Sequence, residues 1–148
     1  MDIKNASESD QLYIAQSGNS IMKAHQAFDS FYKEVDITNK IKTTKEPIEL
    51  VAFEDDERAG YISGVITHNP ADRSESFAVI NSIWVETSKR GMGYASLLVE
   101  EFESAVIQKQ VYRVELFVDI RNEAGVRLWD SEQYQIYQQR RYKILTNR

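Results

Sequence analysis

Two strong strand patterns with a helix between them constrain this chain more than any other feature. "SFAVINSIWVE", residues 76–86, is a long β-branched and aromatic run, and "VYRVELFV", residues 111–118, is another. After Gly93, the residues Leu97, Leu98, Phe102, Ala105 and Val106 recur at helical spacing, which predicts a helix burying that face. A strand–helix–strand crossover makes its strands neighbours or near-neighbours in a sheet with parallel pairing. The chain is therefore expected to be α/β (α+β mixed sheet), one sheet flanked by helices.

The flanking sequence adds elements of the same kind. "DIKNA", residues 2–6, reads as a first strand, and Ser7 with Asp10 offers a capping box ahead of "QLYIAQ". Gly18 is read as the stop of that helix. Ser20 would open a second, with Ile21, Ala24, Phe28, Phe31 and Tyr32 on one face. The lysine-rich segment that ends at Pro47 is expected to be exposed and mobile. "IELVAF" and "AGYISGVIT" form a hairpin joined by "EDDER", whose acids read as a solvated tip. "NEAGVRLWDSEQ" is a short helix capped by Asn122, and "YQIYQQRRYKIL" closes the chain as one or two strands. No linker divides residues 1–148, so a single domain is expected.

Composition removes several function classes. The net charge of −5 supplies no basic footprint for nucleic acid. There is no cysteine, which excludes disulfides, thiolate metal sites and Cys nucleophiles together. His25 and His68 lie far apart and show no metal-ligand spacing, so no metal is expected. No run of 18 apolar residues appears, which argues against a membrane span and makes the cytoplasm the expected location.

What remains is the junction between the first long strand and the helix, Arg90-Gly91-Met92-Gly93-Tyr94-Ala95-Ser96. Unpaired N–H groups at a helix start, with the positive end of the dipole, stabilise an anion. Glycines let a phosphate approach the backbone, and Arg90 adds charge-assisted hydrogen bonds. The residues alone also fit a plain turn into a core helix. There is no Gly-Lys-Ser/Thr of a P-loop, and the three-glycine dinucleotide pattern is incomplete.

The junction resembles the acyl-CoA-binding motif of the GNAT superfamily of N-acetyltransferases, Arg/Gln-x-x-Gly-x-Gly/Ala, which Arg90, Gly93 and Ala95 match. The similarity extends in order from about residue 48 to 134, with Gly60 at a frequent glycine position and Asn122, Gly125, Leu128 and Trp129 at motif positions. The resemblance implies a GNAT-like fold, a central mixed β-sheet of six or seven strands with about four helices. It implies acetyl-CoA as cosubstrate, its pantetheine laid as a pseudo-strand against Ile83, Trp84 and Val85 and its pyrophosphate on the N–H groups from Arg90 to Ser96. Asn122 reaches the cofactor region in relatives, or serves here as a helix cap only. The implied reaction is direct transfer of acetyl to a primary amine, and the lack of an extended basic or acidic docking surface in the sequence favours a small-molecule amine over a protein. Relatives that pair make a homodimer an expectation as well.

The chain departs from the family at one chemical position. The Tyr that protonates the departing thiolate in relatives corresponds to Trp129, whose indole N–H is a donor but no acid at neutral pH. Tyr134 or Tyr137 turning into the site, water acting as the acid, and binding without turnover are the three accounts. The last would make the chain a non-catalytic acyl-CoA-binding sensor or assembly subunit. For the base, Glu86 just after the strand is the candidate, acting through water, against a solvated loop acid.

Overall fold

The computed structural model describes residues 1–26, 45–68 and 76–146. Phe28, Phe31, Tyr32 and most of the lysine-rich segment lie outside the described residues. The elements are β1 (Asp2–Asn5), α1 (Asp10–Gln26), β2 (Glu46–Glu54), β3 (Glu57–Thr67), β4 (Phe77–Val85), α2 (Tyr94–Gln108), β5 (Val114–Leu116) and α3 (Glu123–Ser131). They build one sheet in the order β1-β2-β3-β4-β5. The first three pairings are antiparallel and β4 pairs β5 in parallel, as the crossover through α2 requires.

The mixed α/β class stands, with five strands and three helices among the described residues rather than six or seven and four. Two local differences account for much of this. The helix expected to stop at Gly18 runs through it, because one glycine costs a helix only about 1 kcal/mol and packing outweighs that. The closing segment 134–146, expected as strand, carries no ladder pairing and is mostly exposed. Its alternation is genuine, but a strand needs an edge that takes it in.

The two faces of the sheet are covered separately. Tyr61 and Ile62 are consecutive in β3 and therefore point to opposite faces. Ile62 joins a core with Leu98, Val99, Phe102 and Val106 of α2 and Trp129 of α3. Tyr61 joins a second cluster with Val51 and with Ile14, Tyr13 and Ile21 of α1. In α2 the buried stripe is Tyr94, Leu98, Val99, Phe102 and Val106, so Val99 takes the place expected for Leu97, which is half-buried. The hairpin between β2 and β3 turns on Asp55 and Asp56, both at positive φ (49° and 65°), a two-residue turn whose hand matches strand twist.

One irregularity shapes the site. Ser63 pairs Ser82 and Gly64 pairs Ile80, which leaves Asn81 as an extra residue in β4. Such a bulge bends its strand and shifts the alternation by one residue. Ala78 and Ile80 face the α2 core before it, and Ile83 and Val85 face that same core after it. Pairing with β5 covers only 78–80 against 114–116, so from Asn81 onward β4 and β5 part.

Candidate functional site

Beyond the bulge, the direction of each backbone group is fixed by a close approach. A Cβ on Gly60 would stand 2.3 Å from Trp84 O, so that carbonyl points at β3. Alternation then turns the N–H and C=O of Ile83 and Val85 to the side where β5 has left. Of the three residues expected to offer backbone to a ligand, Ile83 and Val85 turn theirs to this side, with Val85 O accepting from Arg90 Nε, whereas the Trp84 carbonyl faces β3. The ring of Trp84 packs instead with Tyr61 and Ile14 in the α1 cluster.

The open edge leads into the glycine junction. A 3₁₀ turn, Thr87–Lys89, carries the chain from β4. Gly91 (φ 77°) and Gly93 (φ 84°) then take the left-handed conformation, and a Cβ at either would meet nothing within 4 Å. Gly93 is the N-cap of α2 and offers no side chain to it. The first bond of the helix runs from Leu97 N–H to Gly93 O, leaving the N–H groups of Tyr94, Ala95 and Ser96 without intrahelical acceptors. No acidic residue occupies the first turn, so the positive end of the dipole is not neutralised there. Arg90, Gly91, Met92 and Gly93 are exposed, whereas the Tyr94 side chain is buried in the core. The junction can accept an anion on main-chain donors, with open space where side chains would intrude.

Glu54 braces this junction from the hairpin. Its carboxylate meets Lys89 Nζ at 2.7 Å, one residue before Arg90. The same carboxylate accepts from the Tyr94 hydroxyl, so it holds both ends of the loop. The Lys89 ammonium first, and Tyr94 second, keep the Glu54 carboxyl below its usual range. Glu54 is thus partly buried and engaged, not the solvated tip expected of "EDDER".

The candidate proton carriers lie on different faces. Glu86 Oε1 accepts from Tyr13 Oη at 2.9 Å and from Trp84 Nε1 at 3.2 Å, which ties the end of β4 to α1. It is an engaged acceptor and not a free loop acid. Burial, with Glu86 next, raises the pKa of Tyr13 well above its ordinary value. Tyr134 lies with the α2 core, where its hydroxyl donates to Glu103 at 2.9 Å and its ring meets Trp129 edge-on at 5.3 Å. Burial, followed by Glu103, raises the Tyr134 pKa as well, which makes it a weaker acid. Tyr137 donates to Glu115. Trp129 is 7% exposed and serves the core.

Asn122 is found as the cap of α3, its Oδ1 accepting from Gly125 N–H at 3.1 Å. Sequence reasoning missed Tyr13, Lys89 and the Asp10–Arg58 pair. Only the ring pattern of α1 and the position of Lys89 beside the junction hinted at them. Among the described residues no cluster of three His, Cys, Asp or Glu side chains could hold a metal. No helix among them is long and apolar enough to cross a membrane.

A bulged strand that parts from its parallel neighbour and runs into a glycine-lined helix start makes an anion-accepting site on a mixed α/β sheet. The sequence matches the acetyltransferase (GNAT) family over residues 16–133, and the chain belongs to that family. The fold is shared with the BH1408 protein of Bacillus halodurans (tetramutant form), with TM-score 0.84, 20% identity, and 98% of this chain and 100% of that one covered. It is shared with an aminoglycoside acetyltransferase from an uncultured soil metagenomic sample, in complex with sisomicin, with TM-score 0.71, 14% identity and 99% and 96% covered. A ribosomal-protein-alanine N-acetyltransferase from Brucella melitensis biovar Abortus 2308 aligns with TM-score 0.70, 19% identity and 98% of each chain. No curated protein matches by sequence.

Proposed function

We propose that this acetyltransferase is acetyl-CoA-dependent and transfers acetyl to a primary amine, with a small-molecule amine preferred over a peptide. The observation that carries the reading is the parting of β4 from β5 after Ile80, which exposes the backbone of Ile83 and Val85 on a line leading to Gly91 and Gly93. Open Cβ positions at both glycines fit a diphosphate cradled on main-chain N–H groups. The thioester supplies an activated acetyl group.

The residues of the chain then have defined tasks in the proposal. Ile83 and Val85 align the pantetheine arm as a strand would, and the N–H groups of residues 91–96 fix its far end. Alignment of this kind lowers the entropic cost of bringing amine and carbonyl together. The amine nitrogen forms the new C–N bond as the C–S bond breaks, and the amine proton leaves to solvent or a carried base. The thiolate takes a proton from water, since the hydroxyl of Tyr134 is held by Glu103. An N–H on the open edge of β4 near the bulge stabilises the developing oxyanion. Two of the three neighbours are an aminoglycoside and a ribosomal-protein-alanine acetyltransferase, which supports an amine acceptor of either size. The small-molecule preference rests on the lack of an extended charged docking surface in the sequence. A cytoplasmic location belongs to the same proposal.

Placement of Trp129 in the core and of Tyr134 on Glu103 favours one second reading, an acyl-CoA-binding sensor without turnover. An acetyl-transfer assay over an amine panel, run beside calorimetric titration with acetyl-CoA, tests both. Transfer to any amine supports the enzyme, binding without transfer supports the sensor, and no binding defeats both.

A further inference from the structure

We propose that Arg90 is a specificity-determining residue, one that separates thioesters bearing a diphosphate from those that lack it. The inference deepens the acetyl-CoA reading and rests on it. Arg90 Nε donates to Val85 O at 2.9 Å, and its guanidinium carbon stands 4.7 Å from the centre of the Trp84 ring. Because Trp84 O is turned to β3, Val85 O is the last acceptor on the open edge before the glycine junction. A strand-like ligand laid along that edge needs this acceptor for its amide N–H. The arginine already holds it.

The guanidinium therefore has two competing sets of partners. One is a neutral carbonyl and an aromatic face, contacts that a planar fork can make together. The other is an anion on the N–H groups of residues 91–96, which begin at the very next position. A guanidinium and a phosphate pair as opposite charges and often through two parallel bonds, which outweighs a single bond to a neutral carbonyl. A thioester with a diphosphate draws the fork off Val85 and compensates for what is broken. One that ends at pantetheine re-satisfies Val85 O with its own amide but leaves the displaced guanidinium without an anionic partner. Arg90 thus resists the second class of ligand as well as attracting the first.

A plain phosphate contact and a gate differ in one readout, the binding of a ligand without phosphate. Wild type, Arg90→Ala and Arg90→Lys are titrated by NMR with acetyl-CoA and with S-acetylpantetheine. Arg90 is exposed, so its variants are expected to keep the fold, which circular dichroism melts check. The expected result for Arg90→Ala is acetyl-CoA bound about tenfold more weakly and S-acetylpantetheine about fivefold more tightly. Arg90→Lys should keep more of the acetyl-CoA affinity while sharing the gain for S-acetylpantetheine, since an ammonium lacks the fork. Unchanged, weaker or undetectable binding of S-acetylpantetheine by Arg90→Ala, with acetyl-CoA still bound by wild type, overturns the gate alone. Wild type that fails to bind acetyl-CoA overturns the cofactor reading, and the gate with it.

Discussion

The Tyr13 hydroxyl donates to Glu86 at 2.9 Å, joining residues 73 positions apart and fastening α1 to the end of β4. Trp84 Nε1 shares the same carboxylate oxygen. A carboxylate holding two partly buried donors is an anchor, and its removal leaves both donors to be satisfied elsewhere. Tyr13→Phe and Glu86→Gln should each cost about 1 kcal/mol in urea unfolding, and the double variant should cost less than their sum. The pH–rate profile of Glu86→Gln decides its chemistry. An acid limb that survives in this variant leaves Glu86 a structural anchor, and a limb that disappears makes it the general base.

Gly93 stands at φ 84° with open space where a Cβ would be. A Cβ there meets no protein atom within 4 Å, so the expected cost of valine to the fold is backbone strain of roughly 1–2 kcal/mol. The same side chain would project over the N–H groups of the first turn of α2. Gly93→Val should therefore abolish the calorimetric signal of acetyl-CoA while the protein still melts cooperatively. Full binding by this variant would remove the glycine junction from the site.

Glu54 offers a test of positioning from outside the junction. It reaches Lys89 at 2.7 Å and accepts from Tyr94, so its loss frees both ends of the loop without touching the anion's donors. Glu54→Gln is expected to weaken acetyl-CoA binding by less than about tenfold, the scale of a partly solvated ion pair. High salt should narrow the difference from wild type. A variant indistinguishable from wild type at low salt would make the brace incidental.

What could be read from sequence follows the range of the interactions involved. The strands β2 to β4, the helix after Gly93 and the Asn122 cap are written in neighbouring residues, and each formed where expected. The parting of β4 from β5 follows a bulge at Asn81. By contrast, "YQIYQQRRYKIL" has the alternation of a strand, yet pairing depends on a distant edge that no local pattern reports. Gly18 read as a stop because its local cost is visible and the packing of α1 on Tyr61 is not. Glu86 has the sequence context of a loop acid for the same reason, its partner lying 73 positions away. The direction of the Arg90 side chain belongs to this class too. A motif fixes the residue, whereas only the folded chain fixes what it holds.

Two glycines should respond to alanine with opposite signs. A Cβ on Gly64 would stand 2.3 Å from Val79 O and 2.6 Å from Phe102 Cζ, beneath the bulge in the middle of the sheet. The backbone cannot retreat there, and Gly64→Ala should destabilise by about 1–3 kcal/mol, as overpacking does. Gly18 sits inside α1 with only Tyr61 Oη near its missing Cβ, at 4.0 Å. Gly18→Ala should stabilise by about 0.8–1 kcal/mol, the difference in helix propensity. Denaturant midpoints of the two variants, measured beside wild type, check both signs at once.

Asp10 should set an acid limit on stability. Burial by itself would raise its carboxyl, but the Ser7 N–H at 2.8 Å and Arg58 Nε at 2.9 Å outweigh that and hold it below the ordinary value of 3.8. A carboxyl whose folded pKa lies below its unfolded one stabilises the fold fully above the unfolded value. That contribution is lost as pH falls through the lower folded value. Urea unfolding from about pH 6 to pH 2 should therefore show stability declining below about pH 4. Asp10→Asn keeps the shape, gives up the charge, and should begin less stable at neutral pH with a flatter acid limb. An acid limb as steep as that of wild type would mean that other carboxylates govern the decline, and that the Asp10–Arg58 pair contributes little to holding α1 on the sheet.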